Sequence, residues 1–280
     1  MTEMFEYDAQ APLDIEELSP VEDRDGVMVR DIAYAGPRGG KVTSYLVVPK
    51  EGGPFAGVLY LHPGEGDRAT FLGEAIAFAQ AGAVAVSIDG PFTRPSPWRR
   101  APHPREIDAY RDVFVQTVVD LRRGIDLLAS RTDVDADRIG YVGHSYGATL
   151  GGVLAGVEKR IKAYVLMAGL AAFSDWCRAS DHPWAKWLRE TLTVQQLEHY
   201  VREMSAIDAN RFVGQAAPAS LLFQCGRRDE SVSEGDAQRF FEAASEPKEI
   251  RWYDAGHFLN DQARQDRIAW LGERLGLRST

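Results

Sequence analysis

The sequence predicts an α/β fold: a mostly parallel central sheet, covered by helices on both faces, with an N-terminal antiparallel hairpin and a helical cap inserted within it. Three observations carry this. From Gly57 onward, short and nearly continuous apolar runs alternate with longer stretches whose apolar residues recur at helical spacing. Ahead of them, Val27–Tyr34 and Lys41–Pro49 read as two strands joined by the turn sequence Gly36-Pro37-Arg38-Gly39-Gly40. The alternation breaks off once, between residues 170 and 212, where three tryptophans and several helix-like stretches contain no clear strand.

The alternating elements follow in order. Gly57–His62 is an apolar run short enough to be a buried strand. A helical pattern through Ala69–Ala81 stops at Gly82, and Ala83–Asp89 is the next strand. Gly90–Pro104 is a proline-rich loop. Arg105–Ser130 places Val115, Val118, Val119, Leu121, Ile125 and Leu128 on one helical face. Arg138–Gly143 is a strand, Tyr146–Val157 a helix rich in glycine and alanine, and Ile161–Ala168 a strand. After the interruption come strand Ser220–Gly226, helix Ser233–Ala244, strand Glu249–Asp254 and helix Asp261–Leu275. Residues 1–280 are read as a single domain, with 170–212 a cap insertion within it.

Composition narrows the function classes. Apolar residues make up 45% and charged residues 26% of the 280, a globular profile. A formal net charge of -9 disfavours a nucleic-acid partner, which needs a basic face, and also anionic membranes. The first 22 residues are acidic and lack the basic start and apolar run of a signal peptide. No apolar stretch reaches the roughly 18 residues of a membrane helix. The expectation is a cytoplasmic protein with a small-molecule substrate. Cys177 and Cys225 allow one disulfide but read as two reduced thiols.

Gly143-His144-Ser145-Tyr146-Gly147 fits the pattern G-x-S-x-G. Its context gives it weight, because a strand ends at Gly143 and a helix begins at about Tyr146. A serine on so sharp a turn is held strained with its hydroxyl exposed, and small neighbours let the backbone pass closely. The positive end of the following helix favours negative charge developing nearby.

With this motif the chain resembles the α/β-hydrolase fold superfamily from about Val27 to its end. Within it the chain is similar to serine esterase and dienelactone-hydrolase-like groups, related to the catalytic domains of prolyl-oligopeptidase-type peptidases. Asp137-Arg138-Ile139-Gly140, leading into the nucleophile strand, is part of that likeness.

A serine hydroxyl needs a base to take its proton. Of six histidines, His257, in Asp254-Ala255-Gly256-His257-Phe258 after the last strand, stands where the superfamily places its catalytic histidine. His144 is expected to point away from the serine. His103, His182 and His199 lie in the loop and the cap. The base needs an acid to fix its tautomer. Asp229, in Gly226-Arg227-Arg228-Asp229, matches the superfamily's glycine, two residues, aspartate; Glu230 is the adjacent competitor. The order Ser, Asp, His is the one this fold uses.

The resemblance also implies an oxyanion hole. One donor is the backbone N–H of Tyr146. The other comes from His62-Pro63-Gly64-Glu65-Gly66, similar to a His-Gly-x loop but with proline after the histidine. Proline has no N–H to give, so Gly64 is the expected second donor and Glu65 the alternative. His62 is read as a brace for this loop.

Phe173, Trp176, Trp184, Trp187 and Leu188 in the cap, with Phe92 and Trp98 in the proline-rich loop, are read as substrate-binding or as packing of cap on body. Arg94, Arg99, Arg100 and Arg105 read as attracting a carboxylate-bearing substrate or, more often for such a run, as solvated surface.

The expected function is hydrolysis of a carboxylic ester of a small or medium-sized substrate through an acyl-enzyme, with no metal or organic cofactor. Alternatives with the same triad are a short-peptide or amide hydrolase and a C–C bond hydrolase. The peptidase reading is weakened because prolyl-oligopeptidase-type enzymes usually add a propeller. An alternative of another class is a non-catalytic ligand receptor on this fold. A homodimer through the acidic N-terminal segment and a free tail are both left open.

Overall fold

The computed structural model describes residues 2–277. Two short strands open the sheet, β1 (Glu16–Glu17) and β2 (Glu22–Arg24). They are followed by β3 (Val27–Ala35), β4 (Lys41–Pro49), β5 (Phe55–Leu61), α1 (Leu72–Gln80), β6 (Ala83–Ile88), α2 (Ile107–Ala129), β7 (Val134–His144), α3 (Tyr146–Val157) and β8 (Ile161–Met167). Three helices come next, α4 (Phe173–Ala179), α5 (Pro183–Thr191) and α6 (Val194–Ser205). The chain closes with β9 (Ser220–Gly226), α7 (Glu234–Ala243), β10 (Lys248–Tyr253) and α8 (Asp261–Leu275).

The strands form one sheet in the order β1-β3-β4-β6-β5-β7-β8-β9-β10, with β2 also paired to β3. From β6 to β10 all neighbours are parallel. β3 and β4 are the expected antiparallel hairpin, and β4 joins β6 antiparallel. β5 and β6 are buried along their whole length, which is why they read as unbroken apolar runs. Successive side chains still face opposite ways. Leu59 and Leu61 enter the core under α2, α3 and α7, while Val58 and Tyr60 enter the core under α1 and α8.

The sequence of connections reverses beside β5: the chain goes from β5 to β6 on one side, then crosses to β7 on the other. Such a switch point leaves a crevice at the carboxyl ends of the strands. The loops after β5 and β7 open there.

α3 presses unusually close to the sheet. A Cβ on Gly147 would stand 2.2 Å from the Leu61 carbonyl oxygen, and one on Gly143 would stand 2.4 Å from the Gly147 oxygen. Both neighbours are backbone, which cannot swing aside. Gly147→Ala is therefore expected to cost about 3 kcal/mol of stability, read as a lower urea midpoint. An unchanged midpoint would mean that α3 can lift off β5 freely.

The N-terminal segment departs from its reading. The acidic lead-in contains β1 and β2, antiparallel to β3, and a 3-10 turn at Glu3–Phe5. Phe5 is fully buried, edge-on to Phe212. Arg122 donates to the Phe5 carbonyl (2.8 Å), Arg123 to that of Ala9 (3.2 Å), and the Tyr7 hydroxyl to Asp126 (2.8 Å). The segment is thus strapped to α2 of its own chain.

Cys177 and Cys225 are both buried and unpaired. Among the described residues, no helix is long and apolar enough to cross a membrane.

Candidate active site

Ser145 sits between β7 and α3 at φ 54° and ψ -106°. A side-chain-bearing residue in this region stores about 1–3 kcal/mol of strain. The surroundings over-determine it: the Ser145 N–H donates to the Met167 carbonyl (2.8 Å), and its own carbonyl accepts from the Thr149 N–H (2.9 Å) and hydroxyl (3.0 Å). The glycines two residues either side are where the backbone is too close for a side chain.

His257 and Asp229 meet across the ends of β9 and β10. His257 Nδ1 lies 2.9 and 3.0 Å from the two Asp229 carboxylate oxygens. The Asp229 side chain is only 2% exposed. Its Oδ1 also accepts the N–H groups of Ser231 (2.8 Å) and Val232 (2.9 Å). Burial opposes its ionisation, but the hydrogen bonds from His257 and Val232 outweigh burial and hold the carboxyl below the usual range. A carboxylate on Nδ1 leaves Nε2 of His257 as the atom available to a serine. Glu230 is exposed beside this pair, and the imidazole is held by Asp229. No hydrogen bond joins the Ser145 hydroxyl to His257 within 3.5 Å; such bonds commonly tighten when substrate binds.

His144 contributes more than its sequence position suggested. Its Nε2 is 2.8 Å from the His257 carbonyl oxygen. Burial pushes its pKa down to about 4, so the ring is neutral near pH 7 and its proton is on Nε2, donating to that carbonyl. It ties the nucleophile turn to the loop of the base.

The loop after β5 turns tightly, with the Gly66 N–H on the Pro63 carbonyl (2.9 Å). Gly64 and Glu65 are exposed at its tip, and neither amide donates to a protein acceptor. The Tyr146 amide is likewise free, as the first N–H of α3. Both ends of the loop are anchored. His62 is buried, its Nδ1–H on the Pro63 carbonyl (2.6 Å) and its Nε2 accepting from Gly90 N–H (2.8 Å). Burial lowers its pKa and keeps it neutral. At the other end Asp89 accepts the Arg68 N–H (2.7 Å) and guanidinium (2.6 Å).

Of the four arginines, Arg94 corrects the surface reading, while Arg99, Arg100 and Arg105 are exposed as expected. Arg94 is 2% exposed and pairs with the fully buried Asp120 of α2 at 2.5 Å. Burial pushes the Asp120 carboxyl up despite that partner. Arg100 donates to the Gln116 side chain and Arg105 to the Thr191 carbonyl. Asp120→Ala strands the Arg94 charge, and a loss of about 3–5 kcal/mol is expected in urea unfolding. Adding Arg94→Met should recover much of it; a single variant as stable as the wild type would show that the pair is not desolvated.

The aromatic residues form a continuous run. Phe92 stands edge-on to Tyr146 (5.1 Å between centroids) and Tyr146 to Phe114 (5.2 Å). Phe114 meets Phe173 (5.4 Å), and Phe173 stacks on Trp176 (5.8 Å), which stacks on Trp184 (6.0 Å). Trp187 continues from Trp184 (6.3 Å) and is 42% exposed. Leu188 is fully buried, and Trp98 lies against Gly40 of the hairpin turn. Phe258, next to the base, is 70% exposed.

Sequence reasoning missed the His144 brace and the buried Arg94–Asp120 pair. The second had a signal: Asp120 interrupts Val118-Val119-Asp120-Leu121, and a charge inside an apolar face implies a buried partner. Elsewhere, a cleft of about 460 Å³ between the start of α2 and α6 is lined by Arg105–Ala109, Gln196 and His199, and by none of Ser145, Asp229 and His257. Beside it Asp108, His199 and Glu203 bring possible ligand atoms within 4.8 Å of one another, with Glu203 already paired to Arg111 at 2.7 Å.

Comparison with known proteins agrees with this architecture. A family model for the prolyl oligopeptidase family matches residues 106–271. No curated protein matches the chain. Among solved structures, an acetyl xylan esterase from Paenibacillus sp. R4 superposes with a TM-score of 0.80 at 21% identity, over 94% of this chain and 90% of that one. Acetyl xylan esterase 1 from Thermoanaerobacterium sp. JW/SL YS485 gives 0.79 at 18%, over 97% and 90%. A prolyl endopeptidase gives 0.72 at 19%, over 92% of this chain but 40% of that one. At these identities the likeness is one of fold.

Proposed function

The chain belongs to the prolyl oligopeptidase family, a family of serine hydrolases, and from that premise we propose that it hydrolyses a small, uncharged carboxylic ester through an acyl-enzyme. The observation that carries the reading is the hydrogen-bonded Asp229–His257 pair on loops beside a serine held at φ 54°.

The chemistry follows from the roles. Ser145 Oγ attacks the ester carbonyl carbon while His257 Nε2 takes the hydroxyl proton. Asp229 stabilises the imidazolium and fixes its orientation. The amides of Tyr146 and Gly64, with Glu65 the alternative, stabilise the oxyanion. Collapse breaks the bond to the alcohol oxygen, which receives the proton from His257. A water then attacks the acyl-enzyme, giving its proton to His257, and the acid departs as that proton returns to Ser145.

Two features support an uncharged substrate. The residues around Tyr146 are aromatic. Arg94, Arg100 and Arg105 are already engaged by protein acceptors, and Arg99 is exposed, which favours a neutral substrate over one bearing a carboxylate. Neutral esters should therefore turn over faster than the same esters carrying a carboxylate on the acyl chain, in kcat/KM compared at one pH. A preference for the charged ester would sink this reading of the pocket. The likeness to acetyl xylan esterases makes a short acyl group the first to try.

A p-nitrophenyl ester series from acetate to decanoate tests the activity. Turnover that falls with acyl length supports the proposal and sizes the acyl pocket. A folded protein that cleaves no ester refutes it. The family match favours a second reading, cleavage of a short-peptide amide by the same residues, and p-nitroanilides run beside the esters separate the two.

A further inference from the structure

We infer that Trp176 is a positioning residue for the triad, acting on Asp229 through a single peptide group; the inference rests on the proposed roles of Ser145, Asp229 and His257. The Trp176 indole N–H donates to the Ser231 carbonyl oxygen at 2.7 Å. That carbonyl belongs to the same peptide unit as the Val232 N–H, which donates to Asp229 Oδ1 at 2.9 Å. Oδ1 and Oδ2 in turn face His257 Nδ1. Two sets of donors therefore converge on the Asp229 carboxylate, the indole through the peptide on one side and the His257 imidazole on the other. Hydrogen bonds linked head to tail polarise one another, so the indole makes the Val232 N–H a better donor and holds its plane toward Asp229.

The placement gives this link a meaning that a packing contact lacks. Trp176 is on α4, outside the sheet, while Ser231 follows β9. The bond is made by the polar edge of a ring whose faces stack on Phe173 and Trp184, the run that leads back to Tyr146. A substrate group resting on those aromatics presses on the same ring that orients the acid. The helices between β8 and β9 are thereby coupled to the reacting centre without touching it.

The test is Trp176→Phe, which keeps an aromatic ring and deletes the N–H. With p-nitrophenyl acetate, kcat should fall about threefold to tenfold, the worth of one hydrogen bond, with KM unchanged. The downfield proton resonance of His257 Nδ1–H should move, because its carboxylate partner is no longer held in the same way. An unchanged kcat overturns the inference. So does a lower kcat with the resonance in place, which would mark Trp176 as a substrate contact or a packing residue. If Trp176→Phe does not fold, the wild type carries the test: phosphonylation of Ser145 should shift the Trp176 indole N–H resonance, and an unmoved resonance overturns the relay. Ser145→Ala separates the levels. If it keeps wild-type turnover, the reading beneath the inference has failed; if it is inactive while Trp176→Phe is normal, only the relay has.

Discussion

Ser145→Ala should lower kcat for p-nitrophenyl acetate by roughly 10^5- to 10^6-fold while leaving the fold intact. The loss is large because the other hydroxyls at the foot of α3 are engaged elsewhere, that of Tyr146 with Thr117 (2.7 Å) and that of Thr149 with the Ser145 carbonyl (3.0 Å). The backbone there is fixed by Met167 and Thr149 through main-chain atoms, so alanine inherits the same φ of 54° and the same strain. Stability should change little. Ser145→Gly sharpens the test, since glycine adopts that conformation without penalty. It should be equally inactive yet more stable, by about 1 kcal/mol. Near-wild-type turnover by Ser145→Ala would assign the nucleophile elsewhere.

Asp229→Asn should lower kcat by about 10^4-fold with KM little changed. The amide oxygen of the new side chain would take over the Ser231 and Val232 N–H groups, since only an acceptor fits there. Its NH2 would then face His257 Nδ1, forcing that atom to accept. The imidazole proton would move to Nε2, the position that must be empty to receive the serine proton. Geometry survives while the tautomer is wrong. A loss of only a few-fold would mean that another carboxylate, Glu230 first, supports the base.

Much of this architecture is legible in the sequence because burial leaves a mark. β5 and β6 are apolar end to end since both faces are covered. α3 is predicted over the residues it occupies because glycine and alanine are what a helix pressed to a sheet can carry. Ser145, Asp229 and His257 are proposed from strand-end positions, and the structure puts the last two in contact. What was not legible is mostly short or made by main-chain atoms. β1 and β2 have two and three residues, all charged and exposed, so no periodicity could announce them. His144 acts on a carbonyl 113 residues away, and Trp176 on one 55 residues away. No side-chain pattern encodes a backbone acceptor. Gln224, buried in β9, donates to the Ala263 carbonyl and also to the Tyr253 hydroxyl, 39 and 29 residues away.

The three helices between β8 and β9 form one crossover between adjacent parallel strands, leaving at the carboxyl end of β8 after Met167 and rejoining at the amino end of β9, where Ser220 stands opposite Ala163. A crossover that supplies no strand of its own is a replaceable module. Its length and sequence can drift or be exchanged without altering the register of any strand, so selection for a new substrate can act there while the scaffold is inherited unchanged. The exchange has fixed points along α2 and the loop before it: Glu203 pairs with Arg111, the Thr191 carbonyl holds Arg105, and Phe173 packs on Phe114. A transplanted segment must still offer a ring to Phe5 where Phe212 now stands, and a donor to Ser231 where Trp176 now reaches.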